Sequence, residues 1–313
     1  MTTPVLVVTG YLGAGKTTLI NSILAEANGL RIAAIVNDFG AINVDEELIA
    51  ARSAGVVGLA NGCICCTLQG DLLRTLKLLL AVQPAPDYIV VEASGIADPA
   101  GIIQCLLDPV LWRSVRLDSV TCVIDTQDVA GVPARRQDDL WRAQLRTANI
   151  ILLTKSSLVD DHVLKVVERE LARQTNALIF DIDRARLPQE ILLGGNLPAL
   201  SAFAATSAVS PHHTDRFAKI EWQTKTPISL EKLQRVISEH ASELARAKGI
   251  FRFLEKPGIV YLLQTVGRRS TLEPIADDRA PGCRLVIIGE KSYLRAELLL
   301  ERLDALKELS TNA

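Results

Sequence analysis

The feature that most constrains this chain is the stretch Gly10-Tyr-Leu-Gly-Ala-Gly15-Lys16-Thr17, which fits G-x-x-x-x-G-K-[ST] without a mismatch. Glycines at 10, 13 and 15 let successive backbone N–H groups turn inward around phosphate oxygens. A lysine at the next position sets a point charge against the β- and γ-phosphates, and the threonine hydroxyl after it is a ligand for Mg2+. Such a loop has meaning only between a strand and a helix. Pro4–Thr9 is an almost wholly apolar run, as in a buried parallel strand, and Thr17–Ala27 carries apolar residues at helical spacing. The helix start near Lys16 adds the positive end of its dipole. The expected phosphate contacts are therefore Gly10, Gly13, Ala14, Gly15, Lys16, Thr17 and Thr18, with Thr17 also on Mg2+.

Further strand-like runs follow at Arg31–Val36, Asp87–Val91, Ser119–Ile124, Asn149–Thr154 and Ala177–Asp181, with helical spacing at Gly70–Val82, Asp138–Ala148 and Asp160–Gln174. Strands alternating with helices predict an α/β fold, a P-loop NTPase with a mostly parallel sheet covered by helices. Ligands on such sheets gather at the carboxyl ends of the strands, where the phosphate loop, the Glu92 turn and the Lys155 turn all fall. Past Ser207–Asp215 the pattern changes. A strand at Lys219–Gln223, a long helix at Leu230–Ala247, strands at Gly258–Val266 and Arg284–Gly289 and a last helix at Tyr293–Leu309 predict a small C-terminal α+β domain. The expected domains are 1–210 and 218–313.

Composition narrows the function classes. The net charge is −2 and only 4% of the residues are aromatic, so neither a basic field nor stacking platforms for nucleic acid are present. No apolar run reaches the roughly 18 residues of a membrane span, and no membrane partner is expected. Met1-Thr2-Thr3-Pro4 lacks the positive start of a signal peptide, which predicts a cytoplasmic protein. In a reducing compartment, clustered cysteines read as a metal or redox site. Of six cysteines, Cys63, Cys65 and Cys66 fall in one short turn after Asn61-Gly62, whereas Cys105, Cys122 and Cys283 sit in apolar surroundings and read as core. Three thiolates at that spacing suit Zn2+ or another thiophilic divalent ion once a fourth ligand arrives.

A second chemical element follows the strand that ends at Val91: Glu92-Ala-Ser-Gly95, then Asp98-Pro99. A carboxylate at a strand end beside a glycine is placed to hold magnesium-bound water or to orient an attacking water, and Gly95 to approach the γ-phosphate. Lys16, Glu92 and Gly95 are the expected catalytic residues. The alternative is a helix cap for the segment after Pro99. Asp125, at the next strand end, divides evenly between an accessory role and a cap.

Phosphate loop, Gly-Cys-x-Cys-Cys and Glu-x-x-Gly, in that order, resemble the CobW-type metallochaperone family of P-loop GTPases, related to the urease and hydrogenase nickel-insertion GTPases. The resemblance covers nearly the whole chain, including Val36-Asn-Asp38-Phe-Gly40, Arg246-Ala-Lys-Gly249 and Leu263-Gln-Thr-Val-Gly267. It implies GTP-driven delivery of a metal ion to a client protein, with Zn2+, Co, Fe or Ni on Cys63, Cys65 and Cys66. It also implies that nucleotide state alters that turn. Asp38 is a weaker metal candidate, set against a solvated loop carboxylate. A homodimer stays open.

Two departures stand out. GTPases of this kind read guanine with Asn-Lys-x-Asp, where the Asp accepts two hydrogen bonds from the base. Here the stretch is Thr154-Lys155-Ser156-Ser157. Charged hydrogen bonds contribute about 1.5–3 kcal/mol, so losing that carboxylate lowers guanine preference by roughly one to two decades. Lys155 survives, and Thr206-Ser207-Ala208 resembles the other guanine-contacting loop, with Ser207 the expected contact. GTP leads, with ATP as the rival. Second, the chain lacks a histidine-rich storage loop; the pair His212-His213 near the domain junction reads as an exposed linker or as an aid to metal transfer. Two other functions compete: an NTP-dependent kinase or small-molecule NTPase with structural cysteines, and a low-turnover assembly scaffold.

Overall fold

The computed structural model describes residues 2–27, 29–36, 56–58, 68–194, 208–211, 217–267, 269–275 and 282–308. They form two compact units, Met1–Gly195 and Asn196–Ala313.

In the first unit the strands are β1 (Thr3–Thr9), β2 (Ile32–Val36), β3 (Val56–Gly58), β4 (Tyr88–Glu92), β5 (Val115–Asp125), β6 (Ile150–Thr154) and β7 (Leu178–Asp181). They make one sheet of order β3-β2-β4-β1-β5-β6-β7. Every pair is parallel, a stricter outcome than the mostly parallel sheet expected. The helices are α1 (Lys16–Ala25), α2 (Leu68–Ala81), α3 (Ala100–Leu106), α4 (Thr126–Gly131), α5 (Asp139–Thr147), α6 (Asp161–Gln174) and α7 (Gln189–Leu192).

The apolar runs are buried on both faces, as parallel strands between helices must be. Val5 and Val7 pack with Ile35, Leu72, Leu76, Ile89 and Ile102, while their neighbours Leu6 and Val8, pointing the other way, are also fully buried. A further cluster joins Ile124, Ile151 and Leu153 to Trp141 and Leu145 of α5 and Leu164, Val167 and Leu171 of α6. Cys105 and Cys122 belong to these cores, as expected. Burial pushes the Cys122 thiol up to about 12, which removes it from thiolate chemistry at neutral pH.

The sheet order places the site. From β1 the chain goes out to β2 and β3 on one side, and after β4 it goes to β5, β6 and β7 on the other. The crevice at that reversal, outside the carboxyl end of β1, is where ligands bind in open α/β sheets. Among the described residues, the phosphate loop, Glu92, Gly95, Asp125 and Lys155 lie at this edge, at or just past the ends of β1, β4, β5 and β6.

The second unit corrects the sequence reading. Its antiparallel sheet has the order β12-β11-β10-β13-β9-β8. The strands are β8 (Ala208–Pro211), β9 (Phe217–Thr224), β10 (Leu244–Phe253), β11 (Lys256–Val266), β12 (Arg269–Ile275) and β13 (Cys283–Glu290). Helices α8 (Leu230–Glu239) and α9 (Ala296–Glu308) pack on one face through Leu233, Val236, Ile237, Leu299, Leu303 and Leu306, against Trp222, Phe251, Phe253, Leu285 and Ile287. The expected helix Leu230–Ala247 stops at Glu239. Ala-Arg-Ala-Lys has good helix propensity, yet the segment is held between β11 and β13, with ladder bonds on both sides, and that pairing overrides local preference. The β-α-β-β-α order is therefore wrong by the three strands β8, β10 and β12. β8 pairs with β9, so the boundary at 210 falls inside the second sheet, and the described units divide after Gly195.

Candidate functional site

The loop after β1 is shaped by backbone that only glycine adopts easily. Gly10, Gly13 and Gly15 have φ of 136°, 73° and 98°. Gly10 is also sterically required: a Cβ there would lie 2.2 Å from the Val123 carbonyl oxygen on neighbouring β5. Gly15 caps α1, whose first residue is Lys16. The buried Lys16 ammonium donates to the Tyr11 carbonyl at 3.2 Å, so the loop closes around its own lysine. Tyr11 in turn lies under the Arg135 guanidinium, 3.7 Å from the ring centroid, and Arg135 pairs with Asp128 at 2.6 Å.

Three strand ends brace this loop. At the end of β4, Glu92 is only 4% exposed, and the Thr17 hydroxyl donates to its two oxygens at 3.3 and 3.4 Å. Gly95 follows, and a Cβ there would meet the Leu12 backbone nitrogen at 2.8 Å, so the turn after β4 sits directly on the phosphate loop. Fully buried Gln144 fixes that turn from behind, donating to the Gly95 and Ala97 carbonyls at 3.2 and 3.3 Å. The helix after Pro99 has Pro99 itself at its N-cap with no side-chain cap bond, and Asp98 just before it accepts from the Ala100 N–H at 2.9 Å, so Glu92 does not cap it. At the end of β5, Asp125 caps α4 through the Asp128 N–H at 3.0 Å and pairs with the Lys155 ammonium at 2.5 Å. At the end of β6, the Thr154 hydroxyl donates to the Ala14 carbonyl at 2.8 Å, and the Lys155 ammonium to the Gly13 carbonyl at 3.1 Å.

A cavity of about 390 Å³ opens beside these contacts, lined by Gly15, Thr18, Thr154, Lys155, Asp183 and Arg186 among others. The structure thus brings Gly10, Gly13, Ala14, Gly15, Lys16, Thr17, Thr18, Glu92, Gly95 and Lys155 to one sheet edge. Cys63, Cys65, Cys66, Asp38, Ser207, His212 and His213 lie outside the described residues. Among the described residues, no three His, Cys, Asp or Glu side chains group as a metal site. No described helix is long and apolar enough to cross a membrane.

Sequence reasoning passed over Gln144, the Thr154 contact and Asp183. For Gln144 a signal existed: it shares the apolar stripe of Trp141, Leu145 and Ala148, where a polar residue needs buried partners. The Thr154 bond to the loop has no sequence signal, because it forms only where β6 lies beside the loop.

Residues 4–180 match the family model described as CobW/HypB/UreG, nucleotide-binding domain, and residues 217–307 match the cobalamin synthesis protein cobW C-terminal domain. The zinc chaperone CobW of a Sinorhizobium species is 32% identical, over 91% of this chain and 92% of its own. The zinc chaperone YjiA of Escherichia coli K12 is 31% identical, over 91% and 93%. The zinc-regulated GTPase metalloprotein activator 1 of Schizosaccharomyces pombe is 33% identical over 54% of this chain and 43% of its own. With more than half of its length under the first model and its second unit under the other, the chain belongs to the CobW/HypB/UreG family.

Proposed function

We propose that this protein is a nucleotide-gated metallochaperone. It binds and hydrolyses GTP, carries one divalent transition metal on Cys63, Cys65 and Cys66, and passes it to a client protein. The observation that carries the nucleotide half is the junction at the loop: Thr17 bonded to buried Glu92, with Gly95 packed on Leu12. The Thr17 hydroxyl is a hard oxygen donor that fits Mg2+, and Thr17 is the residue that would hold it, with the Glu92 carboxylate beside it placed for a water. When bound, Mg2+ neutralises charge on the phosphates. Lys16 and the N–H groups of residues 13–18 hold the phosphates, and Glu92 orients the attacking water and accepts its proton. Gly95, against the loop, registers the loss of the γ-phosphate.

The metal half is supported by the three thiolates in four residues and by the names of the relatives, which make Zn2+ the first cargo to test. The donor set alone also accommodates Co, Fe or Ni. Gating is supported by chain path. β3 runs parallel to the rest of the sheet, so its end at Gly58 lies at the same edge as the phosphate loop. The cysteines occupy the stretch between Gly58 and the start of α2 at Leu68. A change at that edge thus acts close along the chain to the metal turn.

Cobalt addition tests the thiolate assignment. Wild type is expected to develop thiolate-to-cobalt charge-transfer absorption that saturates near one ion per chain, and Cys65→Ser to lose it. If Cys65→Ser keeps the absorption, or if the variant is merely less heat-stable with metal-stimulated hydrolysis intact, the cysteines are structural and the proposal fails.

A further inference from the structure

Ser157 stands where resembling GTPases carry the carboxylate that reads guanine, and a neutral serine hydroxyl cannot replace a charged, two-oxygen acceptor. The structure puts a carboxylate there from elsewhere in the chain. The Ser157 N–H and hydroxyl both donate to one oxygen of Asp183, Oδ2, at 2.9 and 2.5 Å. Asp183 lies just past the end of β7, the strand beside β6, and it lines the same cavity as Gly15, Thr18, Thr154 and Lys155.

The presentation is rigid. Buried Ser156 donates to both oxygens of Asp181 at 2.8 Å, and Asp181 Oδ1 accepts from the Asp183 and Arg184 N–H groups at 3.1 and 3.2 Å. The turn that carries Asp183 is therefore tied to the turn that carries Lys155 through two consecutive serines. Both donors on Asp183 use Oδ2, and among the described residues none bonds Oδ1. An ionised carboxylate offers about four lone-pair sites, so capacity for two more donors remains. Ser157, and to a lesser degree the nearby Arg184, hold the Asp183 carboxyl below the usual carboxylate range, and it stays charged at neutral pH.

We infer that Asp183 is the base-specificity residue of the cavity, a relocated carboxylate that accepts the N1–H and the exocyclic N2–H of guanine while Ser157 positions it. The inference rests on reading the cavity as a nucleotide site and deepens that reading by assigning the base. Guanine presents two adjacent donors to such a carboxylate. Adenine presents the N1 lone pair and a C2–H, and is repelled. Xanthine carries a carbonyl where guanine has its 2-amino group, so it is disfavoured by Asp but accepted by an amide, which donates to that oxygen and accepts from N1–H. The two serines thus mark a transfer of the guanine contact to the next strand end, and the expectation that guanine preference is weakened is replaced by one that it is kept.

Calorimetry of the full chain with GDP, ADP and xanthosine diphosphate tests this. Wild type is expected to bind GDP at least about tenfold tighter than ADP. Asp183→Asn, a near-isosteric change at an exposed residue, is expected to weaken GDP by about 10- to 100-fold, the equivalent of one or two charged hydrogen bonds, and to bind xanthosine diphosphate more tightly than GDP. Ser157→Ala, which removes only the positioning hydroxyl, is expected to weaken GDP by less and to keep the preference for GDP over xanthosine diphosphate. GDP preference left intact in Asp183→Asn, or equal affinity of wild type for GDP and ADP, overturns the assignment. A wild type that binds neither GDP nor ADP overturns instead the nucleotide reading on which it rests.

Discussion

In a Glu92→Gln variant, GTP hydrolysis is expected to fall by roughly 10²- to 10³-fold while GDP affinity changes by less than about threefold. The substitution keeps volume and shape at a position only 4% exposed, so the fold and the phosphate cradle persist. It removes the charge and the basicity that a catalytic Glu92 must supply. In the structure its carboxylate accepts the Thr17 hydroxyl, 75 residues away in sequence, and an amide oxygen can still accept that bond. Structure and chemistry therefore separate: a single-turnover assay reads the rate, and calorimetry reads the cradle. A rate within about threefold of wild type would make Glu92 a structural partner of Thr17 and assign hydrolysis to another group.

The second large effect is on folding. Gly10→Ala places a methyl 2.2 Å from the Val123 carbonyl oxygen, a backbone atom in the middle of the sheet, at a φ of 136°. Neither partner can move without displacing β1 from β5. Overpacking and strain each cost about 1–3 kcal/mol, so the first unit is expected to lose more than about 3 kcal/mol. Gly13→Ala is the internal control. It shares a positive φ, 73°, but a Cβ there meets nothing within 4 Å, so its cost is confined to about 1–2 kcal/mol of backbone strain. Thermal unfolding of the two variants reads the difference. Equal losses would show that the closeness of Gly10 to β5 is not what holds the loop.

The contrast between these glycines shows what was legible in the sequence. The phosphate loop was readable because its function is written in backbone: three glycines, a lysine and a threonine between an apolar run and an amphipathic helix. The buried parallel strands were readable because covering both faces leaves continuous apolar runs such as Val5–Val8. What failed were segments whose state depends on distant partners. Leu244–Phe253 has a helix-like local composition and becomes a strand because β11 and β13 flank it. Ser157 read as a lost contact, since the carboxylate that meets it lies 26 residues on, at the end of another strand. Gln144 lay on an apolar helical stripe, and its partners, the Gly95 and Ala97 carbonyls, emerge only when α5 is placed against the turn after β4. The cysteine turn was legible from residue type and spacing, three thiols in four residues.

If the phosphate loop governs the thiolate turn, metal affinity must depend on the bound nucleotide. The direct measurement is metal affinity of the full chain by chelator competition, once with GDP and once with a non-hydrolysable GTP analogue. Sites coupled through one conformational equilibrium differ by about 5- to 150-fold between the two states, and a ratio in that range is the expected result. Identical metal affinity in the two nucleotide states would contradict the account, because the loop and the cysteines would then be independent sites on one chain.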